Sequence, residues 1–271
     1  MRVLIVFAHP EPQSLNAKLC RIAVEELESH GHEVQISDLY AMGWKSQIDR
    51  ADFPTFPRET PLPVAGASMV AYTSHQLTED VVAEQQKLLW ADTVILQFPL
   101  WWFSMPAILK GWVDRVFSCG FAYGVGEHSE KHWGDRYGEG PFLGKRAMLL
   151  ITMGSWKEHL SSRGIAGHVD DVLFPINHGI LFYTGFDVLP PFVVYKVHNS
   201  DEAAYDTTAE KLRQRIRTLT STEPIPYRRQ NFGDYEIPTL TLREGIDTGG
   251  ATGLDIHKKP TKELANGVNG V

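Results

Sequence analysis

The sequence predicts an α/β chain: a doubly wound, five-stranded parallel sheet with helices on both faces, followed by a C-terminal arm. Two observations carry the sheet. Short β-branched apolar runs recur along the first 195 residues, and stretches with helical spacing alternate with them. The first two runs flank one helix close to the start, so they pair in parallel through a right-handed crossover. The arm rests on a third observation, the loss of periodicity beyond Glu223.

Val3 to Phe7 is the first buried strand, and it runs into the loop Ala8-His9-Pro10-Glu11-Pro12-Gln13-Ser14. Ser14 is placed to cap a helix in which Leu15, Leu19, Ile22, Ala23 and Leu27 share a face, with Gly31 just past its end. A loop at a strand's carboxyl end that opens into a helix N-terminus is a ready anion site, and His9, Ser14 and Asn16 add side-chain donors. The dinucleotide fingerprint G-x-G-x-x-G is absent, because this loop contains no glycine. Glu33 to Asp38 is the second strand. Residues 41 to 77, with prolines at 54, 57, 61 and 63, read as an irregular excursion. Thr78 then opens a helix with Glu79 and Asp80 in its first turn.

Thr93 to Gln97 is the third strand, apolar enough to be buried on both faces, and Phe98-Pro99 ends it. Ser104 is expected to cap the next helix, with Pro106 in its first turn. Between them lie Leu100, Trp101, Trp102 and Phe103. Consecutive aromatics at the carboxyl end of a parallel strand sit where open α/β sheets place ligands, and they suit a flat aromatic ligand. The alternative is that they only cover the sheet edge.

Residues 118 to 144 are glycine-rich, with Phe121 and Tyr123 prominent. Gly140 to Lys145 has too few residues between its glycines for a P-loop and no Ser or Thr after the lysine. Glu127, His128 and His132 lack the helical setting of a metal site, so no metal is expected. Lys145 to Thr152 is the fourth strand and turns at Met153-Gly154-Ser155-Trp156. Phe186 to Tyr195 is the fifth, confined to an edge in part by Pro190 and Pro191. The last helix spans about Ser200 to Thr220 and presents Leu212, Ile216 and Leu219. These boundaries divide the chain into a domain at 1–220 and an arm at 221–271, its end past about Lys258 a frayed tail.

Bulk composition narrows the function. With 271 residues, 43% hydrophobic and 22% charged, the chain has an ordinary globular balance, and its net charge of −7 disfavours nucleic acid. Cys20 and Cys119 alone suggest neither a disulfide framework nor a zinc cluster. No run approaches the ~20 apolar residues of a membrane span, and the apolar opening is too short for a signal peptide. A cytoplasmic protein without membrane insertion is expected.

On the three loops after strands one, three and four, the residues resemble a known family. His9, Glu11, Ser14, Leu15 and Asn16, then Asp38-Leu39-Tyr40-Ala41-Met42, Gln97-Phe98-Pro99-Leu100, Trp102-Phe103 and Pro106-Ala107-Ile108-Leu109-Lys110-Gly111-Trp112 look like the NAD(P)H:quinone oxidoreductases typified by DT-diaphorase. Phe121-Ala122-Tyr123, Pro175-Ile176 and Gly179-Ile180-Leu181 extend the match. The resemblance implies a flavodoxin-like fold and a homodimer with a flavin, FAD before FMN, in sites at the interface. It implies hydride transfer from NAD(P)H to a quinone-like acceptor by a ping-pong cycle. His9, Ser14, Leu15 and Asn16 would hold the diphosphate and ribityl side of the flavin. Pro99, Leu100, Trp101, Trp102 and Phe103 would run along its ring, and Thr152, Met153, Gly154 and Ser155 would bound its pyrimidine end. Trp102 and Phe103 would wall the acceptor pocket, with Tyr123 and Tyr183 from the partner subunit. A flavodoxin-like electron carrier and a regulatory subunit of a membrane transporter are the alternatives.

The sequence departs from the family in two places. The tyrosine and histidine that neutralise charge near the flavin fall on Leu160 and Ala166, neither of which donates a proton. His168 is the expected replacement as catalytic group, with His159 as the neighbouring candidate and the N–H groups of Gly154 and Ser155 as the alternative. The arginine at the adenine end falls on Tyr205.

Overall fold

The computed structural model describes residues 1–199 and 201–260. Its elements are β1 (Arg2–Phe7), α1 (Leu15–Ser29), β2 (Glu33–Asp38), α2 (Val64–Thr73), α3 (Glu79–Trp90), β3 (Thr93–Pro99), α4 (Ala107–Val116), β4 (Arg146–Thr152), α5 (Val169–Ile176), β5 (Asp187–Val188), β6 (Phe192–Val194) and α6 (Glu202–Arg217). All strand pairs are parallel, in the order β2-β1-β3-β4-β5, with β6 also on β4. The chain order reverses between β1 and β3, so the loops after these strands diverge and leave a crevice at the sheet's carboxyl edge.

Alternation along each strand sorts the core into two layers. Leu4, Val6, Leu96, Phe98, Leu149 and Ile151 pack with α3, α4 and α5. Val3, Ile5, Phe7, Ile95, Met148 and Leu150 pack with α1 and α6 on the other face. At the opposite edge Arg2 pairs with Asp92 at 2.7 Å, and the hydrogen bond from Arg2 pulls that carboxyl down to about 2. Lys145, at the end of the P-loop lookalike, instead donates to the carbonyl oxygens of Leu89 and Ala91 at the C-terminus of α3.

Three expectations are revised. The excursion at 41–77 contains α2, which packs Ala67 and Ala71 against Phe53. The fifth strand is broken by Pro190-Pro191 into β5 and β6, both paired to β4. Ser104 does not cap α4; Pro106 occupies that position, and Ser104 pairs back to Trp101.

The arm packs on its own chain. Ile225 N–H bonds to Val188 O at 2.7 Å, Tyr227 and Tyr235 are buried, and Gln230 reaches Arg136 and Trp133 O. These tyrosines are thus buried against their own chain. The frayed-tail expectation falls mostly on residues 261–271, outside the described residues.

Beneath the arm, Tyr137, Phe174, His178, Arg228, Tyr235 and His257 line much of a cavity of about 250 Å³. The His178 ring stacks on Phe174 at 4.4 Å and 16°. Burial, then the neighbouring His257, lowers His178 from 6.5 to about 3. The unfolded chain takes up this proton first, so the stabilisation is complete above pH 6.5 and is lost as pH falls toward 3. After discounting for residual solvation, the loss is on the order of 2 kcal/mol. Urea midpoints at pH 7 and pH 4.5 should therefore differ more for the wild type than for His178→Phe; equal differences would show that His178 stays solvated.

Candidate functional site at the carboxyl edge of the sheet

Three loops converge at the crevice, each launched by a buried strand. After β1, Ser14 caps α1 by accepting from Ala17 N–H at 3.1 Å. Asn16, buried in the first turn, donates from Nδ2 to Thr152 Oγ1 at 2.8 Å, and Gln97 Nε2 donates to Asn16 O at 2.7 Å. This trio links α1, β3 and β4 under the loops. It leaves Asn16 Oδ1 and Gln97 Oε1 buried without a partner. His9 is tied down by Glu11 N–H at 3.0 Å, with its ring 6.3 Å from that of Trp101.

After β3, Pro99 pairs with Thr152 and Leu100 N–H bonds to Thr152 O at 2.8 Å. The chain then makes a two-residue hairpin. Trp101 and Ser104 exchange backbone hydrogen bonds of 3.1 and 3.0 Å, while Trp102 and Phe103 stand at φ +50° and +60°. That is a type I′ turn, which ordinarily takes Asn-Gly. Trp102 is 95% exposed and Phe103 58%.

After β4, Met153 is buried and its N–H bonds to Val194 O at 2.9 Å, while Gly154 and Ser155 are exposed. The N–H groups of Leu15, Asn16, Trp102, Phe103, Gly154 and Ser155 have no acceptor among the described residues. Six backbone donors without an acceptor thus lie on the three loops at the sheet's carboxyl edge, a donor set suited to phosphate and to ring heteroatoms.

Tyr183 and Tyr123, the other expected pocket residues, have their own neighbours within the chain. Gly140 lies so close to Thr184 that a Cβ there would fall 2.4 Å from the Thr184 carbonyl oxygen. This contact lets Tyr137 N–H bond to Tyr183 O at 3.0 Å and sets the two rings edge to face at 4.9 Å. Tyr123 lies by Ser68 of α2 and Cys119, and burial raises its hydroxyl above the ordinary range. Sequence reasoning missed Ser68 and Tyr137. No ring contact joins Trp102 or Phe103 to Tyr123 or Tyr183 among the described residues.

Leu160 belongs to the main core, and the partly buried Ala166 packs against it. His168 caps α5: its Nδ1 accepts from Asp170 N–H at 3.2 Å, and it borders a groove shared with the arm residues Thr252 and Lys258. His159 stacks on Trp156 at 6.4 Å. No cluster of three or more His, Cys, Asp or Glu residues poised for a metal occurs among the described residues, and no helix among them is long and apolar enough to cross a membrane.

A sequence profile of the flavodoxin-like fold family matches residues 1–216. A ribosyldihydronicotinamide dehydrogenase-like protein from Penicillium crustosum is 61% identical over 266 residues, 98% of each chain. NAD(P)H dehydrogenase [quinone] 1 from Rattus norvegicus is 40% identical over 227 residues, 83% of this chain and 79% of its own. The chain belongs to the NAD(P)H:quinone oxidoreductase family. The crystal structure of a presumed quinone reductase from Klebsiella pneumoniae superposes with a TM-score of 0.92 at 56% identity, covering 96% of this chain and all of that one. This member of the family therefore shares both the sheet and the C-terminal arm with a solved relative.

Proposed function

We propose that the protein is a flavin-dependent, two-electron NAD(P)H reductase of quinones or similar flat acceptors. The observation that carries this reading is that six backbone N–H groups without an acceptor and an exposed aromatic turn lie on the three loops at one edge of the sheet. When bound there, a flavin supplies an acceptor for hydride from NAD(P)H and a donor of hydride to the quinone. His9, Ser14, Leu15 and Asn16 hold its phosphate and ribityl side; Asn16 Oδ1 is a buried acceptor for a ribityl hydroxyl. Pro99, Leu100, Trp101, Trp102 and Phe103 lie along the ring, and Thr152, Met153, Gly154 and Ser155 bound its pyrimidine end. The aromatic walls hold donor and acceptor in stacked register and exclude water.

FAD is the preferred flavin. The chain's length and its C-terminal arm favour it, whereas Tyr205, on α6 with Lys18 Nζ 5.6 Å from its ring, replaces the family's arginine at the adenine end and counts toward FMN. A homodimer completes the pocket. The exposed Trp102-Phe103 turn and the Tyr123–Tyr183 wall have no ring contact within one chain, and isologous pairing brings the two together while burying the apolar turn.

The test is direct. The purified protein should be yellow, release FAD identified by mass, sediment as a dimer and oxidise NAD(P)H only when a quinone is supplied. A protein that takes up neither FAD nor FMN on titration ends the reading. Bound flavin without steady-state NAD(P)H turnover would point to an electron carrier.

A further inference from the structure

The replacement for the family's tyrosine and histidine is decided by which charged group meets the loop Met153–Trp156. Three backbone hydrogen bonds clamp that loop to the segment after β6: Met153 N–H to Val194 O at 2.9 Å, Lys196 N–H to Ser155 O at 3.1 Å and Val197 N–H to Met153 O at 3.2 Å. Lys196 adopts φ +57°, a left-handed conformation that a non-glycine residue takes at a cost. Its Nζ sits 3.5 Å from the centroid of the Trp156 ring, so this cation is engaged on the indole. The next turn carries His198 over Gly154. A Cβ on Gly154 would fall 2.9 Å from Cδ2 and 3.0 Å from Nε2 of His198. Gly154 is therefore small where the imidazole lies against it.

We propose that His198 stabilises the negative charge that hydride transfer leaves at the pyrimidine end of the flavin. This rests on the flavin placement proposed above. The dihydronicotinamide loses one hydride and is oxidised; the neutral oxidised ring gains that hydride, which carries two electrons and one proton, and is left with one negative charge. The exposed N–H groups of Gly154 and Ser155 meet this charge from one side. The imidazole, as a cation or as an Nε2–H donor, meets it from the Gly154 side, where Leu160 and Ala166 offer no polar group. His168 has its Nδ1 committed to the α5 cap, and His159 lies on Trp156. The segment 194–198 reaches the site because β6 is hydrogen-bonded to β4.

The readout is the two-electron midpoint potential of the bound flavin, together with its affinity in the oxidised state. His198→Ala should weaken binding of reduced relative to oxidised flavin about tenfold, a shift of about 30 mV to more negative potential. Oxidised-flavin affinity should hold within about twofold, since the oxidised ring is neutral. His198→Arg should restore the potential and His198→Gln should restore less. A wild-type potential in His198→Ala, or a shift that follows His168→Ala instead, overturns the proposal while leaving the flavin reading intact. If His198→Ala loses flavin altogether, His198→Gln and His198→Arg decide, and potentials in both about 30 mV or more below the wild type overturn it. A wild-type protein that binds no flavin removes the reading beneath it.

Discussion

Replacing Trp102 by Asn and Phe103 by Gly is expected to raise the stability of the flavin-free chain and to lower turnover sharply. Both residues sit at positive φ in a two-residue hairpin closed by two backbone hydrogen bonds. The Trp102 side chain, 95% exposed, gains almost nothing in return from its own chain, and Phe103, 58% exposed, gains little. A left-handed non-glycine residue costs on the order of 1–2 kcal/mol, so relief at both positions should raise the unfolding free energy by about 1–3 kcal/mol. On the function proposed above, the same change removes the ring surface against which acceptor and nicotinamide would stack. Loss of that positioning should lower kcat/KM for a quinone by ~10²-fold or more. Guanidinium denaturation at fixed protein concentration and steady-state kinetics read the two effects separately. Unchanged turnover would mean that the aromatics only cover the sheet edge. A fall in stability would mean that the strain is repaid within the chain.

The same turn shows how far the sequence could be read. Thr93–Gln97 is so uniformly apolar and β-branched that its burial and the position of the following loop were legible, as was the capping role of Ser14. The turn itself was not, because Trp-Phe carries none of the Asn-Gly signal of a type I′ hairpin. With Ser104 drawn into that hairpin, α4 begins at Ala107 with Pro106 in the cap position. Helix α2 escaped for a different reason. Its sequence VAGASMVAYT is small and apolar all round, so no stripe distinguishes a buried face, and four prolines precede it. The arm's own-chain docking depends on Gln230 and Arg228, polar residues that sequence reasoning places on a surface. His198 could not be found from sequence. It meets Gly154 only because Pro190-Pro191 splits the edge strand and β6 returns alongside β4.

Asp52→Ala should be the most destabilising single change among the buried charges of the excursion after β2. Asp52 and Arg115 are 5% and 2% exposed in their side chains and meet at 2.7 Å. Arg115 also donates to Asp80 at 2.7 Å and to Lys45 O at 3.2 Å, and stands 4.5 Å from the Trp44 ring. Lys45 completes the group with a 2.9 Å bond to Asp52. Gly111 makes the approach possible, because a Cβ there would lie 1.9 Å from Ser46 O. The excursion is thus pinned to α4, the helix that starts just beyond the aromatic turn. Burial works against ionisation of Asp80, but hydrogen bonds from Thr78 and Arg115 outweigh it and hold its carboxyl below the ordinary range. That contribution is present above the ordinary carboxylate range and is lost as pH falls through the lowered value. Removing Asp52 strands a buried guanidinium with one half-exposed partner, at a cost of about 3–5 kcal/mol. Replacing both members, Asp52→Leu with Arg115→Met, should recover most of that loss, because no buried charge is then left unpaired and the half-exposed Asp80 is met by water. Urea unfolding of the single and double variants measures the difference. A single-variant cost below about 1 kcal/mol would show that water reaches Arg115 once Asp52 is gone.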